Sequence, residues 1–165
     1  MKAARTPGVY HLILRLDRQV MIQIGRLGRF TFPSGYCVYT GSALGGLETR
    51  IARHRRKRKK LRWHIDYLLR KARLVDVIVV PTRERVECER NRAVMALPGA
   101  CVVARKFGAS DCGCRTHLVH LGEAATAGCF ASRFAKAAQD GSLSMTRKAS
   151  TGRRRTRAAR DGTCV

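Results

Sequence analysis

The chain has 165 residues, of which 34 are basic and 11 acidic, so its formal net charge at pH 7 is +23. That length suits one domain with a tail, and no apolar run approaches the roughly 20 residues that cross a bilayer. The positive charge favours nucleic acid as partner, because each neutralised phosphate releases a counterion. A membrane surface is disfavoured because the basic residues are interleaved with apolar structure rather than arranged on one amphipathic stripe. The seven cysteines are scattered, which argues against a secreted disulfide framework and favours a cytoplasmic location, associated with the nucleoid if DNA is bound.

The first third of the chain predicts strands followed by a helix. Residues 8–16 and 20–24 are rich in aliphatic and β-branched residues, and the polar turn between them predicts a hairpin. Residues 25–35 hold glycines and a proline and predict a loop. Residues 36–40 predict a third strand, and apolar residues at one-turn spacing predict a helix from Leu47.

The middle of the chain predicts alternating helices and strands. Residues 61–72 carry an apolar helical face, and residues 75–80 are a short β-branched strand. Residues 85–97 predict a third helix that a Pro-Gly pair ends, and residues 101–104 predict another short strand.

The composition changes after residue 121. Residues 124–165 are rich in Ala, Ser, Thr, Gly and Arg and poor in large apolar residues. We interpret residues 124–138 as a frayed helix and residues 140–165 as disordered, because such a composition cannot bury enough apolar surface.

Two tripeptides at strand positions carry the most specific chemistry. Gly-Val-Tyr occupies residues 8–10 and Tyr-Thr-Gly occupies residues 39–41. Phenols on neighbouring strands can point to one face of a sheet, where they can orient water or bond a phosphate oxygen. Arg50 follows on the expected helix, and its guanidinium suits the charge on a phosphoryl oxygen. Each feature alone also fits a strand aromatic or a solvated arginine.

The order Gly-Val-Tyr, Tyr-Thr-Gly, Arg-Ile-x-x-His and a later glutamate resembles the GIY-YIG nuclease superfamily. Three segments, residues 36–43, 60–69 and 107–118, resemble a small, poorly characterised prokaryotic branch that some proteins fuse to a DNA glycosylase of the endonuclease III type. The resemblance covers residues 6–121, a nuclease-like domain, and leaves residues 122–165 as a basic, largely disordered tail. It implies an α/β (α+β) fold with a central antiparallel sheet of three strands flanked by helices.

The resemblance also implies an activity, the metal-dependent hydrolysis of DNA in repair or processing. By motif position the catalytic residues are Tyr10, Tyr39, Arg50, His54 and Glu87. The tyrosines would flank the scissile phosphate, Arg50 would stabilise the transition-state charge, and His54 would assist proton transfer.

A glutamate of the third helix would hold the metal, Mg²⁺ or Mn²⁺. We choose Glu87 because the acid precedes a cysteine in this branch, and Glu89 is the second choice. Side chains two positions apart on a helix point in different directions, so only one of these two glutamates can face the site. A single carboxylate fits Mg²⁺, which keeps most of its waters.

The chain departs from the superfamily pattern in three places. The spacer between the tripeptides is about 28 residues, which an extra hairpin or loop at residues 19–32 explains. Val9 and Thr40 replace the isoleucines, and the usual terminal asparagine has no clear match, although residues 110–111 lie near its place. A noncatalytic nucleic-acid-binding module that keeps the fold is therefore the alternative function.

Residue types that bind zinc recur near the end of the domain: Cys112, Cys114, His117 and His120. Cys88 or Cys101 could complete such a site in space. Because Cys-x-Cys is tighter than the usual zinc spacing, we favour a tight turn without metal, in which the histidine packs or supports the active site. A zinc-stabilised RNA-binding protein is a third alternative.

An almost wholly basic run follows the first helix. The residues expected to contact DNA phosphates or bases are Arg53, Arg55, Arg56, Lys57, Arg58, Lys59, Lys60 and Trp63. The favoured alternative for Trp63 is packing with Tyr67 at the core edge. The expected partners are duplex or structured DNA and, through the fusions in this branch, a DNA repair glycosylase.

Overall fold

The computed structural model describes residues 5–123. The strands are β1 (Gly8–Leu16), β2 (Val20–Ile24), β3 (Gly28–Phe32), β4 (Gly35–Ala43), β5 (Arg73–Pro81) and β6 (Leu118–Gly122); the helices are α1 (Leu47–Arg55), α2 (His64–Leu68) and α3 (Glu87–Met95). Within this range no helix is both long and apolar enough to cross a membrane. The expectations for residues 124–138 and 140–165 lie outside the described residues.

The main sheet has four antiparallel strands in the order β5-β1-β4-β6, and β2 and β3 form a separate pair. The expected α+β class with an antiparallel sheet and a few helices is confirmed. The expectation of three central strands is wrong, because β6 adds to the free edge of β4. Residues 118–122 were not predicted as a strand; they form β6 by pairing with β4, a contact between segments that lie far apart in the chain.

Strand β1 is the centre of the fold because both of its faces are covered. On one face Leu12 and Leu14 join the main hydrophobic core with Cys37, and on the other Ile13 packs with Val38 in a second core. Alternate residues of a strand point to opposite faces, so a nearly continuous apolar strand supplies both layers. Its two neighbours, β4 and β5, take up both of its edges.

The prediction that β1 and β2 form a hairpin is wrong. Strand β2 instead pairs with β3, from Val20↔Phe32 to Ile24↔Gly28, and β3 lies inside residues 25–35, which were expected to be a loop. The reversal is possible because Gly25 and Gly28 both adopt positive φ angles, 46° and 128°, which cost glycine little. Residues 19–32 therefore form the extra hairpin that was one of the two explanations for the long spacer.

Several element boundaries differ from the expected ones. The helix expected over residues 61–72 is reduced to α2, and the strand expected over residues 75–80 extends to the nine residues of β5. Residues 101–104 form an isolated bridge, Cys101↔His120, rather than a strand. The loss of helix before α2 has a local cause, since the Asp66 carboxylate accepts the backbone N–H groups of residues 62 and 63 and begins the helix there.

Asp66 is a fully buried carboxylate that ties α1 to α2. Arg53 donates two hydrogen bonds of 2.8 Å, one to each carboxylate oxygen, and Lys59 Nζ lies 3.5 Å away. Burial alone would raise the pKa of Asp66, but the hydrogen bonds from Arg53 and from the backbone of Arg62 and Trp63 lower it to about 2. The basic segment after α1 is therefore folded around one buried negative charge.

Replacing this carboxylate tests its role. Asp66→Asn should lower the free energy of unfolding by about 2–3 kcal/mol near pH 7, because the charged hydrogen bonds from Arg53 are lost. The pKa of Asp66 is lower in the folded chain than its ordinary 3.8, so its stabilisation is complete above pH 4 and is lost as the pH falls toward 2. Urea denaturation of both proteins from pH 7 to pH 2 should therefore give a difference that shrinks in that window. A difference independent of pH would contradict the assignment.

Candidate functional site

A cleft of about 330 Å³ opens on the face of the sheet that carries the main core. Four of the five predicted catalytic side chains line it: Tyr10, Tyr39, Arg50 and Glu87. They come from β1, β4, α1 and α3, so the tertiary fold brings them together. The fifth, His54, is buried behind the cleft and reaches it through Tyr10.

The register of β1 against β4 places the two tyrosines side by side. Tyr10 pairs with Gly41 and Tyr39 pairs with Leu12, so both rings point to the same face, with centroids 6.4 Å apart. A Cβ atom on Gly41 would lie 2.6 Å from the Tyr10 hydroxyl oxygen and 3.1 Å from Tyr39 Cε1. A Cβ on Gly108 would lie 2.8 Å from Tyr39 Cε2, and its φ of 66° also favours glycine. The two glycines make room for the ring pair.

Tyr10 and His54 form a buried hydrogen-bonded pair, with Oη and Nε2 2.8 Å apart. Burial raises the pKa of Tyr10, and the nearby charge of Arg50 opposes this shift. Burial is also the main cause that lowers the pKa of His54 to about 4, and the charge of Lys59 adds to it. At pH 7 the phenol therefore keeps its proton and the imidazole is neutral. Arg50 lines the same cleft as Tyr10, and the phenol proton can be donated to His54 Nε2.

Arg50 is held at the cleft by an aromatic ring. Its Cζ lies 4.3 Å from the centroid of Trp63, and Arg53 Cζ lies 4.0 Å from the same centroid. The indole packs at the edge of the main core, as Tyr67 does, which agrees with the packing alternative for this residue. The cation–π contact with Trp63 helps to fix the direction of the Arg50 guanidinium.

Glu87 begins α3 and points into the cleft, where its Oε1 accepts a hydrogen bond of 2.9 Å from His117 Nδ1. Burial raises the pKa of Glu87, but the hydrogen bonds from His117 and Ser42 and the nearby charge of Arg50 outweigh burial and lower it. Glu89, two residues on, is exposed and does not line the cleft. Of the two candidate carboxylates, only Glu87 is therefore placed to hold a metal beside the tyrosines.

A second cluster of ligand atoms lies directly behind Glu87. Its members are Cys88, Cys112, Cys114 and His117, and their ligand atoms all lie within 4.8 Å of one another. His117 Nε2 is 3.5 Å from Cys112 Sγ and 3.9 Å from Cys88 Sγ. The sequence favoured a tight turn without metal at Cys112 and Cys114, but in the structure these two cysteines form, with Cys88 and His117, a cluster that could hold a metal ion.

His120, one of the four zinc ligands considered from the sequence, lies outside this cluster. Its Nε2 donates to the Ser34 carbonyl oxygen at 2.9 Å, and its Nδ1 is 3.8 Å from Cys101 Sγ. His120 follows His117 by three residues along an extended segment, so the two side chains point to opposite faces. Cys88 takes the fourth position instead, because α3 packs against the loop before β6.

The basic run divides into inward and outward residues. Arg53 and Lys59 face inward: Arg53 binds Asp66, and Lys59 Nζ donates to the backbone carbonyls of Arg53 and His54 at 3.2 and 2.9 Å. The exposed members are Arg55, Arg56, Lys57, Arg58 and Lys60. Only the second group offers free charge at the surface.

The cleft also contains residues outside the five predicted catalytic ones. Arg62 adds a second guanidinium, and Ser110 and Asp111 also line the cleft. His64 Nδ1 accepts the Gly108 backbone N–H at 3.0 Å, which fixes the loop that covers Tyr39. The segments 60–69 and 107–118, which carry the family resemblance, contain these residues. A pattern of residue types, however, does not indicate which loop a side chain contacts.

Gly41→Ala should destabilise the protein by about 1–3 kcal/mol, since its Cβ would overlap the Tyr10 hydroxyl. Chemical denaturation followed by circular dichroism measures the change. Gly45→Ala is the matched control, because a Cβ there meets nothing within 4 Å and the effect should stay within about 0.5 kcal/mol. Equal stability of the two variants would contradict the close packing of Gly41 on the tyrosines.

The imidazole of His54 should stay neutral at pH values well below 6.5, the ordinary pKa of a histidine. Its C–H resonances in an NMR pH titration should shift with a midpoint near pH 4 rather than 6.5, because protonation would bury a charge near Lys59. His54→Gln identifies the resonances by their loss. A midpoint near 6.5 would contradict the buried environment.

Comparison with known proteins places this architecture in a family. Residues 9–139 match the family model described as Domain of unknown function DUF123, which spans most of the 165-residue chain. No curated protein matches the chain, and no solved structure matches it. The protein, with its cleft of paired tyrosines and its adjoining cysteine–histidine cluster, belongs to the DUF123 family.

Proposed function

We propose that this protein is a metal-dependent DNA endonuclease with a GIY-YIG-like fold, acting in DNA repair or processing. The observation that carries the proposal is the convergence of Tyr10, Tyr39, Arg50 and Glu87 on one cleft. These residues lie far apart in the chain and match the motif positions of one superfamily in order. A module that only binds nucleic acid needs positive charge but has no need of a buried Tyr–His pair beside a carboxylate.

Charge supports DNA as the substrate. Arg50 and Arg62 line the cleft, and five exposed basic side chains lie at the end of α1 and in the segment directly after it. The cleft arginines can hold the scissile phosphate in a fixed geometry, and the exposed run can bind neighbouring phosphates without reading sequence. Association with a DNA repair glycosylase follows from the resemblance and stays a prediction.

The proposed reaction uses the Tyr10–His54 pair as a proton relay. A water molecule attacks the phosphorus, its proton passes to the Tyr10 oxygen, and the phenol proton passes to His54 Nε2. The P–O bond opposite the water breaks, and the leaving oxygen takes a proton from solvent. The neutral imidazole and protonated phenol at pH 7 suit this relay, and Arg50 stabilises the charge that develops on the phosphoryl oxygens.

The cleft residues fit a divalent cation of the Mg²⁺ type. One Glu87 oxygen is occupied by His117, the side chain is about a quarter exposed, and Ser110 and Asp111 line the same cleft, so the available donors are hard oxygens. Glu87 would hold the ion together with waters. When bound, Mg²⁺ or Mn²⁺ supplies charge stabilisation for the phosphoryl oxygens.

Nicking of supercoiled plasmid tests the proposal. The wild type should nick DNA with Mg²⁺ or Mn²⁺ and not with EDTA, and Glu87→Gln should slow nicking by about 100-fold or more. Arg50→Ala should slow it by a similar factor, since it removes the charge that faces the phosphate.

Two matched variants separate the site from its surroundings. Glu89→Gln removes the neighbouring, exposed carboxylate of the same helix and should keep the wild-type rate. Arg55→Ala removes an exposed charge from α1 and should weaken DNA binding while keeping the rate at saturating DNA. If the wild type binds plasmid and structured DNA in a salt-sensitive way but cuts neither with any divalent ion, the noncatalytic binding module replaces the nuclease.

A further inference from the structure

We propose that Cys88, Cys112, Cys114 and His117 bind one structural Zn²⁺, and that the bound ion makes His117 the positioning residue for Glu87. The second part rests on the proposed function, because it gives the Glu87 carboxylate a role in the cleft. The zinc site itself stands on the cysteine–histidine geometry alone.

The distances between the ligand atoms fit a tetrahedral ion. Zn–S bonds of about 2.3 Å and Zn–N bonds of about 2.0 Å place a sulfur and a nitrogen roughly 3.6 Å apart on a tetrahedron. His117 Nε2 lies 3.5 Å from Cys112 Sγ and 3.9 Å from Cys88 Sγ. All four ligand atoms lie within 4.8 Å of one another, so a contraction of about 1 Å at most completes the coordination.

The ligand types identify the metal. Three thiols and one imidazole form a soft Cys₃His set, which is a common structural zinc site and a poor site for Mg²⁺. Four protein ligands leave no open position for water or substrate, so the ion is structural rather than catalytic. It would join the first turn of α3, which carries Cys88, to the loop of residues 108–117.

His117 connects this site to the cleft through its two ring nitrogens. Nε2 faces the thiols, and Nδ1 lies 2.9 Å from Glu87 Oε1. An ionised carboxylate can only accept, so Nδ1 carries the proton and the lone pair of Nε2 is directed at the metal. Metal-bound histidines usually donate their other N–H to such a carboxylate, which fixes both side chains. The bound ion therefore holds the imidazole, and the imidazole holds Glu87.

Metal content tests the first part without any assay of activity. Full-length protein, purified without an affinity tag of histidines, should contain about one zinc per chain by elemental analysis and little iron. Cys112→Ser and Cys114→Ser should lose most of this zinc and melt at a lower temperature, as the wild type does with a strong chelator. Cys37→Ala, which removes a buried cysteine outside the cluster, should keep the full zinc content. Wild type without zinc, or with iron in its place, would overturn the assignment.

His117→Cys tests the coupling, because it keeps a four-ligand site but removes the N–H that Glu87 accepts. This variant should retain one zinc per chain, while nicking and the affinity of the cleft for Mn²⁺, measured by electron paramagnetic resonance, both fall by about 10-fold to 100-fold. Cys112→His keeps both the metal and His117, and it should retain Mn²⁺ affinity near that of the wild type.

Zinc content, Mn²⁺ affinity and nicking together distinguish a failure of this proposal from a failure of the proposed nuclease function. A zinc-loaded wild type that binds Mn²⁺ yet cuts no DNA would defeat the nuclease and leave the zinc site standing. A zinc-loaded His117→Cys variant with unchanged Mn²⁺ affinity would defeat the coupling alone.

Discussion

The antiparallel register of β4 between β1 and β6 is the constraint on which the site depends. On one side it sets Tyr10 against Gly41, so that the two tyrosine rings share a face. On the other side the Thr40 backbone N–H donates to the His117 carbonyl at 2.9 Å, which fixes the residue that bonds Glu87. A shift of one residue would send every side chain of the strand to the opposite face and separate the cleft from its carboxylate.

Buried polar groups divide the large positive charge into structural and available parts. Asp66 forms ion pairs with Arg53 and Lys59, so these two cations help to fold the segment after α1. Burial lowers the pKa of Lys59. The exposed neighbours of these two cations keep their charge in solvent. A charge run read from the sequence is therefore not a list of phosphate contacts, since a single buried carboxylate can recruit several of its members.

The cleft and the cysteine–histidine cluster are two halves of one arrangement. The first turn of α3 contributes a carboxylate to one and a thiol to the other through adjacent residues, Glu87 and Cys88. Neighbouring residues on a helix point about 100° apart, so a single turn can serve both sites. His117 joins them, with one nitrogen toward each. Hard oxygens face the cleft and soft sulfurs face away from it, which would let the two proposed metal sites select different metals.

The sequence by itself determined most of the local elements and the residue types of the candidate site. Apolar runs predicted β1, β2 and α1 closely, because strand and helix periodicity depend on neighbouring residues. Only the tertiary structure decided that β2 pairs with β3, that β6 completes the sheet, and that Cys88 rather than His120 joins the cluster. It also placed Glu87 rather than Glu89 in the cleft. Strand pairing and ligand sets are contacts between distant parts of the chain, and their energies depend on packing that no local pattern contains.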